Sequence, residues 1–376
     1  MGGVSVTAAA AAPGAPQHHV VLPGQMPDGS PILSVLVKRS YRIVAGGPAE
    51  RLERAASLIP GDRHFGDPMN STVAFESDHL PFKLATDVVI HATAYPPCGA
   101  PAHEIVASVV VGTARKDIVV IGDRTAHHRD RGDPVFSDPL PFTEMPVRYE
   151  HAYGGVDVRS DPSMACAYAR NHLGRGFVVR NDVQSVDNLA LPNIESPNDR
   201  LTPERLCCEH VMHWERQPVA DGLGWMAKYW QPRAALAGVM PGDRALERML
   251  RSGFASVLPP DQRAEYQKAA LPVMNFAFFN GASSGLVRPY LKRCERIACR
   301  NLHSTGDIVG ALPDEWPSIS LDLGTGNPGT LEGVLQTVSV RLDEMQLDLV
   351  WRAAFPYPGL DWLPNLRRLH VEIGEA

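Results

Sequence analysis

Thirty-three prolines and 32 glycines are spread along a chain of 376 residues. Together they make about 17% of it, against about 12% in average usage. Proline removes a backbone donor and clashes inside helices, and glycine weakens them. Long uninterrupted helices, and a helical bundle in particular, are therefore disfavoured. What the breakers leave intact are short β-branched runs. Ile32–Val44 (ILSVLVKRSYRIV) and Phe82–Tyr95 (FKLATDVVIHATAY) read as extended segments. Glu104–Thr113 and Asp117–Gly122 form a hairpin around ARK, and Gly333–Leu342 and Met345–Ala353 form a second around Asp343–Glu344. Leu366–Ile373 closes as a strand.

Helix signals are confined to the middle. Asp161–His172 suits a short helix stopped by Gly174 and Gly176. Asp243 and Pro260–Asp261 open two runs of good helix formers, RALERMLR and QRAEYQKAA. Asn181–Pro203 reads as loop, and the proline-studded Pro134–Pro146 as an extended loop or edge. Strands at both ends with helices between predict a mainly β (α+β) fold. It has antiparallel sheets at both ends of the chain and a small helical insertion at about residues 240–270. The Ala/Gly/Pro-rich start reads as a flexible arm over residues 1–30. No linker divides the rest, so residues 31–376 are expected to form one intertwined domain.

Charge and cysteine content bound the function. With 36 basic and 42 acidic residues, the net charge is −6, which lacks the electrostatic footprint of a nucleic-acid binder. No run approaches the roughly 18 apolar residues of a membrane-spanning helix. The N-terminus lacks the basic and apolar regions of a signal peptide. Six cysteines are too few for a disulfide scaffold, so a reduced, cytoplasmic protein without nucleic-acid or membrane partners is expected.

Motifs that resemble chemistry fail on context. ISLDLGTGNPG (Ile319–Gly329) satisfies G-x-G-x-x-G and resembles the first motif of S-adenosylmethionine-dependent methyltransferases. Yet Pro328 and the β-branched QTVSV oppose the helix that the motif needs. Cys207, Cys208, His210 and His213, and Cys294, Cys299 and His303, carry zinc-type ligands without paired C-x-x-C spacing. Ser283–Ser284 sits in a turn-like NGASSG, and His127–His128 in a charged HHRDRGD. There is no G-x-S-x-G elbow and no P-loop. No catalytic residue, cofactor or metal is therefore expected. The alternative, an enzyme using the glycine motif or the Cys/His clusters, predicts stoichiometric binding of S-adenosylmethionine or zinc.

Aromatic residues are the remaining specialisation. Trp214, Trp225, Tyr229 and Trp230 fall within 17 residues of irregular, Gly/Pro-bearing sequence. They either plug the core or anchor an interface, and Trp225, Tyr229 and Trp230 are the candidate partner-binding residues.

Several stretches together resemble a bacterial family, the domain of unknown function twenty-one sixty-nine of type VI secretion clusters. They are GDRHFGDP (Gly61–Pro68), Glu76–Ser77, Ala85–Val88, Val120–Arg124, PFTEMPVRYEHAYGG (Pro141–Gly155), LPNIESP (Leu191–Pro197), Trp214–Gln217, FAFFNGA (Phe276–Ala282) and LDLVWRAAFP (Leu347–Pro356). They follow in family order from Pro31 onward. The resemblance implies a non-enzymatic adaptor or chaperone in the bacterial cytoplasm. Such a protein binds a secreted effector and assists its loading onto the spike-tip protein of the secretion particle. A structural component of that particle is the further alternative.

Overall fold

The structure, a computed structural model, describes residues 4–7, 18–27, 29–208, 211–238, 275–322, 328–356 and 370–375. Its centre is the strand Pro31–Arg42, which pairs antiparallel over eleven positions with Gln346–Pro356. Ten consecutive residues of Pro31–Arg42 are buried. A strand covered on both faces normally reads as unbroken apolar sequence. Here Ser34, Lys38, Arg39 and Ser40 interrupt it, and each finds a partner. Lys38 Nζ lies 2.7 Å from Asp78 Oδ2, Ser40 Oγ bonds Asp348, Ser34 Oγ bonds the Pro81 carbonyl, and Arg39 donates to the Gly374 carbonyl at 3.3 Å.

Around this pair the main sheet runs His19–Gln25, Pro31–Arg42, Gln346–Pro356, Val334–Arg341, Thr86–His91 and Val287–Arg288, with Glu50–Arg51 also paired to Pro31–Arg42. Its ladders are antiparallel, except that Thr86–His91 runs parallel to Val334–Arg341. A second sheet orders Ile194–Glu195, Ala114–Ile121, Glu104–Val111, Arg296–Arg300 and Ile308–Ala311. A third orders Val4–Thr7, His370–Glu375, Pro317–Asp322 and Gly329–Glu332. One apolar cluster takes Val88 and Ile90 from the main sheet and Val109, Ile118 and Ile297 from the second. The chain is thus mainly β, with several antiparallel sheets.

Both expected hairpins form. The first turns earlier than ARK, because Val111 already faces Ala114 and the turn is Gly112–Thr113. Burial in Ala114–Ile121 alternates at Ala114 and Lys116 before the fully buried Ile118–Ile121, so Ala114–Lys116 belongs to the strand. The second hairpin closes through the turn Leu342–Glu344 with Met345 left-handed at φ 50°.

Three expectations change. The arm is shorter than residues 1–30, since His19–Gln25 is an edge strand of the main sheet and Val4–Thr7 pairs with His370–Ile373. Valine and leucine in HVVLPGQ supply the apolar pairing that the neighbouring Ala/Pro composition conceals. Asp161–His172 is not a helix. Asp161 accepts from Ser163 N and Oγ in a turn, Cys166–Ala167 pairs with Val156–Asp157, and buried Tyr168 donates to the Pro218 carbonyl at 2.7 Å. Tertiary bonding overrides a favourable local propensity there. The loop Asn181–Pro203 holds one helical turn, Val183–Val186, capped by Asp182, and two short strands, Leu189–Ala190 and Ile194–Glu195. The helical insertion expected at 240–270 lies outside the described residues. No described helix is long and apolar enough to cross a membrane.

Candidate functional site

The segment GDRHFGDP leads into a hairpin in which Arg63–His64 pairs with Val73–Phe75. Its tip is held by its own side chains. Asp67 Oδ1 accepts from Met69 N at 2.8 Å, and Ser71 Oγ donates to the Asp67 carbonyl at 2.7 Å. An aspartate that bonds two residues ahead is a turn-former by chemistry. Here it pushes Met69 out to 74% exposure. The hairpin is tied at three points. Glu150 accepts from Thr72 N at 2.7 Å, Lys228 Nζ reaches Asp62 Oδ2 at 2.7 Å, and His172 Nε2 lies 3.2 Å from the Met69 carbonyl.

Beside it lies a cleft of about 280 Å³. Val73, Ile90, Val147, Tyr149 and Leu223 give it apolar walls, and Phe65, Arg148, Arg341, Asp343 and Glu344 also line it. Two stretches of the family resemblance, GDRHFGDP and PFTEMPVRYEHAYGG, therefore meet at one depression. The guanidinium of Arg148 stands 4.0 Å from the centre of the Phe65 ring. Phe65 in turn meets His91 edge-on at 5.4 Å, and Phe75 meets it from 4.9 Å. Between two phenyl rings His91 is desolvated, which pushes its pKa down to about 4, and it is a neutral ring at pH 7. Arg341 is neutralised by Glu344 and by Asp348, the latter at 3.1 Å.

The three aromatic candidates divide. Trp225 is 3% exposed and packs in the main core under Lys83, whose Nζ lies 5.0 Å from its ring. Trp230, also 3% exposed, donates from Nε1 to His172 Nδ1 at 3.1 Å and meets Tyr149 edge-on at 5.1 Å. Neither presents a face to a partner; apolar area of this size is buried wherever the chain allows it. Tyr229 is 56% exposed and rests 5.6 Å from His172. Trp230 thus supports both the back wall of the cleft, through Tyr149, and the His172–Tyr229 surface beside it. Phe65, Met69 and Arg148 were not singled out as binding residues by sequence reasoning. The available signal was a phenylalanine and a methionine inside a Gly/Asp/Pro/Asn turn, where no strand or helix period offers them a buried side.

The chemical decoys are taken apart by the fold. Pro317–Asp322 pairs antiparallel with Gly329–Glu332, so the glycine motif is followed by a strand and not by the helix that a nucleotide-like ligand requires. Leu323–Asn327 lie outside the described residues, as does His210. Cys208 is buried with Tyr153, Tyr168 and Phe177. Cys299 faces the main core, where burial pushes its thiol up to about 12, whereas Cys294 is exposed beside Asp314. Among the described residues no three His, Cys, Asp or Glu side chains gather as metal ligands. Ser283 is buried behind the cleft wall, its Oγ accepting from Lys116 Nζ at 2.8 Å. Lys116 also pairs with Asp221. His127 is half-buried, 3.1 Å from Thr125 Oγ1 and 3.4 Å from Asp187.

What converges is thus an apolar cleft flanked by a turn with exposed Phe65 and Met69 and by exposed Tyr229. Residues 28–352 match the family described as "Uncharacterized protein conserved in bacteria (DUF2169)", as the sequence motifs led us to expect. No curated protein and no solved structure matches the chain significantly. With its match spanning most of the chain, the protein belongs to the DUF2169 family.

Proposed function

We propose that the protein is a non-enzymatic adaptor of the bacterial cytoplasm that binds a type VI secretion effector and assists its loading onto the spike tip. The observation that carries this reading is the surface formed by Phe65, Met69 and Tyr229 beside the cleft, 39%, 74% and 56% exposed respectively. Large apolar groups clustered on a surface mark interaction sites, and interface energy concentrates in a few aromatic and arginine anchors. Binding without turnover needs such a surface and no convergent titratable groups. Type VI involvement itself comes from the family resemblance.

The test is affinity purification of the tagged protein from its native host, comparing wild type with Tyr229→Ala and Trp230→Ala. Recovery of a neighbouring-locus toxin or spike-tip protein at about one-to-one, cut roughly tenfold by Tyr229→Ala at unchanged melting temperature, is the expected outcome. Trp230→Ala should lower the melting temperature itself, because it empties a core position. A partnerless protein that binds S-adenosylmethionine or zinc one-to-one would replace the adaptor with an enzyme. Fixed-copy retention in finished secretion particles would make it a structural component.

A further inference from the structure

Two arginines line the cleft, and they differ in one respect. Arg341 has Glu344 and Asp348. Arg148 is exposed, and no carboxylate among the described residues pairs with it; its guanidinium contact is the face of Phe65. Nearby cations are likewise engaged, Lys228 by Asp62 and Arg233 by Glu76. A guanidinium laid on a ring has its plane fixed and its N–H edge turned outward, the arrangement that receives a carboxylate through two parallel bonds.

The cleft beside it has room for little. At about 280 Å³ it falls just below the ~300–1,000 Å³ of small-molecule sites. Walls of Val73, Ile90, Val147, Leu223 and Tyr149 suit one large apolar side chain. Asp343 adds an exposed carboxylate to the lining, and it penalises a second negative charge. A polyanion is therefore a poor occupant, and a single acid next to an apolar residue is a good one.

We propose that the cleft recognises an acidic-apolar segment of the partner protein, an aliphatic or aromatic side chain filling the cavity while an adjacent Asp or Glu carboxylate pairs with Arg148 against Phe65. This rests on the adaptor reading and specifies the chemistry of its partner.

The full-length protein should be titrated by calorimetry with three blocked dipeptides, N-acetyl-Leu-Glu-amide, N-acetyl-Leu-Gln-amide and N-acetyl-Leu-Lys-amide, and with inorganic tripolyphosphate. The glutamate peptide should bind about three- to fivefold tighter than the glutamine one, the range of a rim ion pair, and the lysine peptide weakest. Arg148→Glu should invert that order. Arg148→Lys, which keeps the charge and loses the fork, should retain part of the preference. Equal binding of the three peptides, no binding of any, an order indifferent to Arg148→Glu, or tighter binding of tripolyphosphate would each overturn the proposal. So would Arg148-dependent self-association in analytical ultracentrifugation, which would make a second copy the occupant. If the peptides show no charge preference while the host purification still recovers an effector through Tyr229, this inference falls and the adaptor stands. Loss of the effector interaction alone would instead remove the adaptor.

Discussion

Glu76 and Arg233 are 1% and 2% exposed at their side chains and bond to each other through the two terminal guanidinium nitrogens, one pair at 3.0 Å. Arg233 also donates to the carbonyls of Met226 at 2.6 Å and Phe278 at 3.0 Å, so one side chain ties the Trp225–Trp230 segment to FAFFNGA. A buried pair of this kind is dangerous to halve, because the remaining charge has no water. Glu76→Ala should cost about 3–5 kcal/mol in urea unfolding, whereas Glu50→Ala, which breaks the exposed pair with Arg42, should cost about 0–1 kcal/mol. His91 makes a second residue-scale prediction. Its folded pKa of about 4 lies below the ordinary 6.5, so the unfolded chain takes up the proton first as pH falls. The stabilisation is complete above about pH 6.5 and is lost as pH drops through about 4, a change of about 3 kcal/mol. Denaturant titrations at pH 7 and pH 4.5 on wild type and His91→Phe should show a smaller pH difference in the variant.

At the scale of elements, the hairpins were legible because apolar alternation and a short turn are both local. Val106, Val109 and Val111 announce a strand whatever they pack against. Asp161–His172 was misread for the opposite reason. Its residues favour a helix locally, but Tyr168 and Asn171 are claimed by distant groups. Asn171 Nδ2 donates to the Tyr149 carbonyl at 2.8 Å and the Tyr153 carbonyl at 3.2 Å, bonds that no local pattern encodes. The same limit hid the site. Tyr229 and Trp230 are neighbours in sequence, yet one is a surface residue and the other a core residue, and only their contacts decide which. The Tyr153–Gly154 strand beside Asn171 offers a test. Gly154 holds φ +147°, and a Cβ there would lie 2.1 Å from the Asn171 carbonyl oxygen. Gly154→Ala should therefore destabilise by more than about 2 kcal/mol, read as a fall in melting temperature, while Gly61→Ala, with open space around it, should stay within about 0.5 kcal/mol.

Across the whole molecule, the sequence separated a strand-rich protein from a helical one but not its connectivity, because pairing partners lie hundreds of residues apart. Among the described residues, five ion pairs with both side chains less than a tenth exposed, led by Lys38–Asp78 and Lys83–Asp87 at 2.7 and 2.6 Å, join segments within and across the sheets. Deleting Gln346–Pro356 removes the partner of Pro31–Arg42 along its buried length. That deletion should leave a chain without a cooperative melting transition, checked by calorimetry on whatever remains soluble. The same ladder sets a timetable for synthesis. Roughly 300 residues separate its two strands, so at about 5–20 residues per second the ribosome leaves Pro31–Arg42 without its mate for about 15–60 s. During that interval Pro31–Arg42 can pair with His19–Gln25 on one edge while the edge that takes Gln346–Pro356 stays open, a state prone to pair with a neighbouring nascent chain. The chain would thus itself depend on early shelter, and its yield in cells should track translation speed and holdase supply more closely than its equilibrium stability.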